Sequence, residues 1–223
     1  MPLQNRVTPF GDLVAVPARG TMMGNRGILH DAQRRIRRRW VGRLWICCVL
    51  EWQGRRDPVM APGHYTRLFF LDEPTALAAG HRPCAYCRRA DYNAFRAAWA
   101  AGNPQHGLGP SGATPRAAEM DRVLHAERLG PGGTKRRHPA DLAALPDGTM
   151  LTLDANDDRA LLVWQRSLWA WSPDGYQQAG RVSARPVSVL TPPSLVAALR
   201  CGYTPLPPTL AGAEPAPVSE CGP

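Results

Sequence analysis

The chain has 223 residues, 44% of them hydrophobic, which is enough to build one large core or two small ones. Its formal net charge is +9 and its pI about 9.9, a balance that favours polyanionic partners through counterion release, or else reflects an Arg-rich codon usage. Met1 to Phe10 lacks a basic-then-apolar signal pattern and the apolar run Leu44 to Leu50 is too short for a bilayer, so no membrane is expected and a cytoplasmic setting is. Six cysteines in that compartment read as thiols or metal ligands rather than disulfides.

Residues 1 to 30 are punctuated by Gly and Pro around a β-like Leu13 to Val16. The glycine cluster from Ala18 to Gly27 either loops between strands or wraps an anion with its amides. Gln33 to Trp40 then carries Arg34, Arg35, Arg37, Arg38 and Arg39. Like charges that dense must be solvated or face an anion, and this is the strongest electrostatic signal in the chain. Leu44 to Trp52 has strand character. Leu44, Ile46, Cys48, Leu50 and Trp52 fall on one face, and Trp45, Cys47, Val49 and Glu51 on the other. A second strand runs through Tyr65 to Phe70. A short Ala-rich helix ending at Gly80 follows, and then Cys84-Ala85-Tyr86-Cys87 at the start of a helix over 88–101 whose Tyr92, Phe95 and Trp99 recur at helical spacing.

A Gly/Pro-rich linker, 102–115, precedes a third helix over 116–129. There Asp121 and His125, four apart, suit a carboxylate–imidazole acid/base pair, a metal-ligand pair or a plain solvated helix face. Lys135, Arg136, Arg137 and His138 form a basic loop able to hold a phosphate. From Leu145 onward short strands separated by turn signals predict a small antiparallel sheet over 149–153, 160–164, 167–171 and 187–190. A last helix over 195–200 and a Pro/Ala-rich tail, expected to be disordered from 204, complete the chain.

Cys84 and Cys87 carry the most specific chemistry. A Cys-x-x-Cys knuckle lets two thiolates grip one metal ion, a geometry typical of tetrahedral zinc, and its place at a helix start also suits a low-pKa thiol. With its flanks, Phe69-Phe70, Ala76-Leu77-Ala78-Ala79-Gly80 and His81-Arg82-Pro83-Cys84-Ala85-Tyr86-Cys87-Arg88, the segment resembles the zinc-binding module of Ada-type DNA-repair proteins. In that module four cysteines hold zinc and one thiolate accepts a methyl group from a DNA phosphotriester. The resemblance implies zinc at Cys84 and Cys87 and a DNA-associated role. Where the module has a spaced upstream pair, this chain has adjacent Cys47 and Cys48, which point to opposite faces of a strand, so at most one meets the knuckle. Cys48, otherwise a core thiol, and His64 are the candidates to complete the site, with His81 and Cys201 as alternatives.

These readings converge on an α+β protein: a zinc-knuckle (Ada-like) module over 1–115, a helical connection over 116–144, a small antiparallel β-rich module over 145–203, and a tail. The expected function is zinc-stabilised nucleic-acid binding, with DNA the favoured partner and arginines 34–39 and residues 135–137 on phosphates. The alternative is an enzyme acting on nucleic acid or a nucleotide-like phosphate, with Asp121 and His125 as acid/base pair and His138 beside the phosphate.

Overall fold

A computed structural model describes residues 1–54, 58–106, 114–208 and 210. Residues 55–57, the linker centre at 107–113, and residues 209 and 211–223 of the expected tail lie outside the described residues.

Short strands between glycine-rich turns build the first sheet. β1 (Arg6–Val7) turns through Gly11, at φ +85°, into β2 (Leu13–Val14). β3 (Met22–Asn25), β4 (Ile46–Cys48), β5 (Leu68–Phe70), the helix α1 (Glu73–Ala78) and β6 (Arg82–Pro83) follow. The six strands lie in the order β2-β1-β5-β3-β4-β6, with β1 parallel to β5, β6 parallel to β4, and the other neighbours antiparallel. Gly24 makes the β3–β5 pairing possible. A Cβ there would stand 2.2 Å from the Phe70 ring, so the ring packs directly on the strand backbone.

The helices cover this sheet and join it to a second. α2 (Arg89–Gly102) buries the expected stripe of Tyr92, Phe95 and Trp99, and α3 (Ala117–Arg128) buries Met120, Val123 and Leu124. The chain then forms β7 (His138–Asp141), β8 (Met150–Thr152), β9 (Leu161–Trp164), β10 (Ser167–Ser172), β11 (Gly175–Arg181), β12 (Pro186–Val189) and α4 (Pro193–Arg200). These strands make an antiparallel sheet ordered β11-β10-β9-β8-β12-β7. Helices and strands are thus mixed as an α+β fold. Among the described residues no helix is long and apolar enough to cross a membrane.

The expected module boundaries run through a shared core. Leu77, Phe95, Trp99 and Leu124 pack in one cluster with Leu195, Leu199 and Tyr203 of the C-terminal segment. Leu71 and Ala78 pack with Met150, Leu162 and Tyr176 of the second sheet. Buried polar groups tie the same elements together. Asp72 caps α1 by accepting from the Thr75 amide at 2.9 Å, and it also accepts from Tyr176 Oη at 3.2 Å. Trp171 Nε1 donates to Thr75 Oγ1 at 3.1 Å. Glu73 takes both Arg88 Nη1 and Nη2 at 2.8 Å, Tyr203 Oη at 2.6 Å and the Leu206 amide at 2.9 Å. That last bond anchors the first residues of the segment expected to be a free tail.

Candidate metal centre

The edge of the first sheet brings three thiols together. β4 ends on Cys48 and pairs in parallel with β6, matching Cys47 to Pro83, so the chain leaves β6 directly into Cys84. The Cys84 amide donates to Cys47 O at 2.9 Å and fixes the turn that carries Cys87 to the start of α2. The Sγ atoms of Cys48, Cys84 and Cys87 all lie within 4.8 Å of one another. Tetrahedral zinc with Zn–S bonds of about 2.3 Å spaces its sulfurs by about 3.8 Å, so the group needs only small side-chain adjustment to take such an ion.

Strand alternation decides which neighbouring cysteine takes part, and it corrects one expectation. Cys47, fully buried, is the core thiol, packed with Val7, Leu68 and Phe70. Cys48 faces the knuckle with Met23 and Cys84. Only Ile46–Cys48 is paired as strand, so the longer alternating face anticipated from Leu44 to Trp52 does not form; Leu44 and Leu50 are exposed.

The thiols perturb one another as a cation-seeking group does. Cys84 is pulled down to about 5, first by a hydrogen bond from Cys48, with the amides of Cys87 and Tyr86 adding to it. Cys87 is lowered as well, again chiefly by Cys48, while Cys48 is pushed far above the ordinary thiol range by the two sulfurs it serves. Three sulfurs this close and this buried ionise together only around a cation, and a divalent ion removes that conflict. The chemistry of the set, three soft thiolates without a carboxylate, suits a thiophilic metal ion. The centre forms the floor of a pocket of about 230 Å³ lined by Trp52, Tyr65, Arg67 and Tyr86. Of these four, spacing places only Trp52 on the predicted face of Cys48, and Tyr86 lies inside the Cys-x-x-Cys motif itself. Trp52 and Tyr86 meet edge-on at 5.8 Å.

Other expected site residues fall elsewhere. His64 is exposed, with its amide donating to Ala61 O, and it stands outside the thiol group. His81 is buried against Phe70 and Trp45, and Cys201 is exposed at the end of α4. Asp121 and His125 do not form the anticipated pair. Arg82 claims both Asp121 oxygens at 2.8 Å, and His125 Nδ1 lies 2.9 Å from Arg128 Nη2. Burial, then the Arg128 charge, lowers the His125 pKa. His138 begins β7 with Nε2 at 3.0 Å from Thr191 O, in the second sheet.

The two basic segments, in contrast, meet. Arg34, Arg35, Arg37 and Arg38 are exposed on a turn organised by Asp31, which accepts from the Gln33 and Arg35 amides and from Arg37 Nε. Arg39 spans to the other segment, donating to Gly133 O at 3.0 Å, and the Trp40 ring lies against Gly133, where a Cβ would come within 2.5 Å of it. Arg136 is exposed beside them, whereas Lys135 and Arg137 turn inward.

Comparison with protein-family models, with curated proteins and with solved structures finds no match to this chain.

Proposed function

We propose that this chain is a nucleic-acid-binding protein, DNA its favoured partner, whose fold is held at one edge by zinc on Cys48, Cys84 and Cys87. The observation that carries the nucleic-acid reading is the Arg39–Gly133 contact. It brings the first basic segment against the loop that leads into the second, 94 residues away, and Arg34, Arg35, Arg38 and Arg136 are exposed. Exposed guanidinia match phosphates and exchange counterions with them, and in this segment Asp31 takes only Arg37 Nε and Asp12 only Arg39 among the described side chains. The zinc reading is supported by the three converging thiols and by their mutual pKa conflict, and the resemblance to the Ada-type module agrees with both. When bound, zinc supplies cross-linking of β4 to the β6–α2 turn, and the exposed arginines do the binding.

Fluorescence anisotropy with a labelled DNA duplex across a salt series tests the first part. Each phosphate contact contributes about 0.9 to the slope of log K against log salt, so Arg34→Gln, Arg35→Gln, Arg38→Gln together should lower the slope by about 2 to 3. An unchanged slope and affinity would remove the proposed interface. Plasma mass spectrometry tests the second: about one zinc per chain, lost in Cys48→Ser and kept in Cys47→Ser, is the expected result.

One observation favours a second reading. The thiols open onto the aromatic pocket, and among the described residues no fourth His, Cys, Asp or Glu joins them. A centre with three protein ligands and an open side suits ligand contact at the metal or thiolate chemistry at Cys84. Rapid iodoacetamide labelling of Cys84 in zinc-loaded protein would favour that reading.

A further inference from the structure

A second cluster of unusual groups lies at the other end of the β3–β4 pair, where Arg26 follows β3 and Trp45 precedes β4. Trp45, Arg26 and Arg128 are each at most 2% exposed. Both guanidinia rest against the indole, with Cζ 4.0 Å and 3.8 Å from its centroid. Their hydrogen-bond partners are neutral. Arg26 donates to His81 Nε2 and Gly11 O, and Arg128 to the carbonyls of Gly80 and Arg43. Lys135 Nζ reaches the Ala78 carbonyl. The nearby acids are engaged elsewhere, Asp12 with Arg39 and Asp121 with Arg82. Arg26 Nη2, Arg128 Nε and Trp45 Nε1 are buried without a hydrogen-bond partner. Buried polar groups are rarely left so, and all three residues line one small space.

That space is a cavity of about 10 Å³ that Arg26, Arg128, Trp45 and Lys135 all line, room for one oxygen atom. Phe10, Arg39 and Lys135 line it from one side and, from the other, line an open cleft of about 530 Å³. Arg137 and Trp171 also border this cleft, with Arg137 Cζ 5.2 Å from the Phe10 ring centroid. The cleft thus sets Arg39, Lys135 and Arg137 beside Phe10 and Trp171, with Asp12, paired with Arg39, and Asp158 as its two acids. Burial and then the guanidinia of Arg26, Arg128 and Arg137 also pull Lys135 down to about 7, a cost that an anion would relieve.

We propose that this cleft binds a phosphomonoester carried on a planar group, a nucleotide in chemical class, with the phosphate between Arg39 and Lys135 and one of its oxygens in the inner cavity. Two sources present the same chemistry: a free nucleoside monophosphate, or the 5′-phosphorylated end of a strand. The second rests on the nucleic-acid reading above, and the first stands without it.

Titration calorimetry on the full-length chain with adenosine 5′-monophosphate, adenosine, and a short single strand with and without a 5′-phosphate tests the site. Lys135→Gln and Arg39→Gln serve as variants, their folding checked by circular dichroism and thermal unfolding. The expected result is saturable binding of the monophosphate or the phosphorylated strand, at least tenfold weaker for adenosine or the unphosphorylated strand, and at least tenfold weaker in both variants. Binding of the monophosphate assigns a free nucleotide, and binding of the phosphorylated strand alone assigns a strand end. No phosphate-dependent binding, or binding that survives in both folded variants, overturns the proposal. Salt-dependent strand binding indifferent to the terminal phosphate would also overturn it while leaving the exposed arginine face intact.

Discussion

Arg88, immediately after Cys87, should be the most sensitive single position near the candidate metal centre. Its side chain is 1% exposed and meets Glu73, 0% exposed, through two parallel 2.8 Å bonds, while Nε reaches Asp91 at 2.8 Å. Glu73 in turn holds Tyr203 and Leu206, so one carboxylate joins α1, α2 and the C-terminal segment. Arg88→Met keeps most of the side-chain volume yet leaves Glu73 buried with its charge uncompensated. Breaking such a pair from one side costs about 3–5 kcal/mol, against about 5–15 kcal/mol for the whole stability of an ordinary domain. Glu73→Leu with Arg88→Met removes both charges and should recover at least half of that loss, because most of the penalty is the orphaned carboxylate. Equilibrium urea unfolding of the zinc-loaded single and double variants reads both values. A loss below about 1 kcal/mol for Arg88→Met, the range of a solvent-screened pair, would refute the reasoning.

Cys47→Ser should retain metal but lose about 1–3 kcal/mol of stability in urea unfolding, because a hydroxyl replaces a thiol in an apolar core. Lys135 has a folded pKa of about 7 against an ordinary 10.5, so the folded chain binds fewer protons than the unfolded one between these values. Its share of stability is lowest below pH 7 and should rise with pH across that window, by at most about 1.4 kcal/mol per unit; the difference in unfolding free energy between wild type and Lys135→Met should carry this slope, and a flat difference would place the ammonium in water. Gly80→Ala, at φ +86° with Arg128 Cδ 2.6 Å from the added carbon, should cost more than Gly132→Ala, at φ +66° with nothing within 4 Å. The second variant reports backbone strain of about 1 kcal/mol alone, and equal losses by thermal unfolding would show that Arg128 yields freely.

What the sequence makes legible is what rests on local pattern. Tyr92, Phe95 and Trp99 recur at helical spacing because α2 lies against one core, and the Cys84–Cys87 spacing places both sulfurs on one turn. The β8, β9, β10 and β12 strands are readable because each alternates or runs apolar between turn residues. β11 is not, because it is an edge strand whose residues after Tyr176 are exposed, so its Gln and Gly residues carry no alternation. The choice between Cys47 and Cys48 fails for a related reason. A three-residue strand is oriented by its neighbours β3 and β6, and the apolar residues that suggested its facing lie beyond its ends. Helical spacing places Asp121 and His125 near each other, but Arg82 and Arg128, from another strand and the next helical turn, bind them first. The cationic cavity is the least legible of all. Arg26, Trp45, Arg128 and Lys135 come from four segments, and an arginine that will be buried on an indole reads along the chain like any solvated one. Only the fold separates the exposed arginines, which are free to follow a phosphate backbone, from the buried ones, whose unpaired donors ask for a single anion.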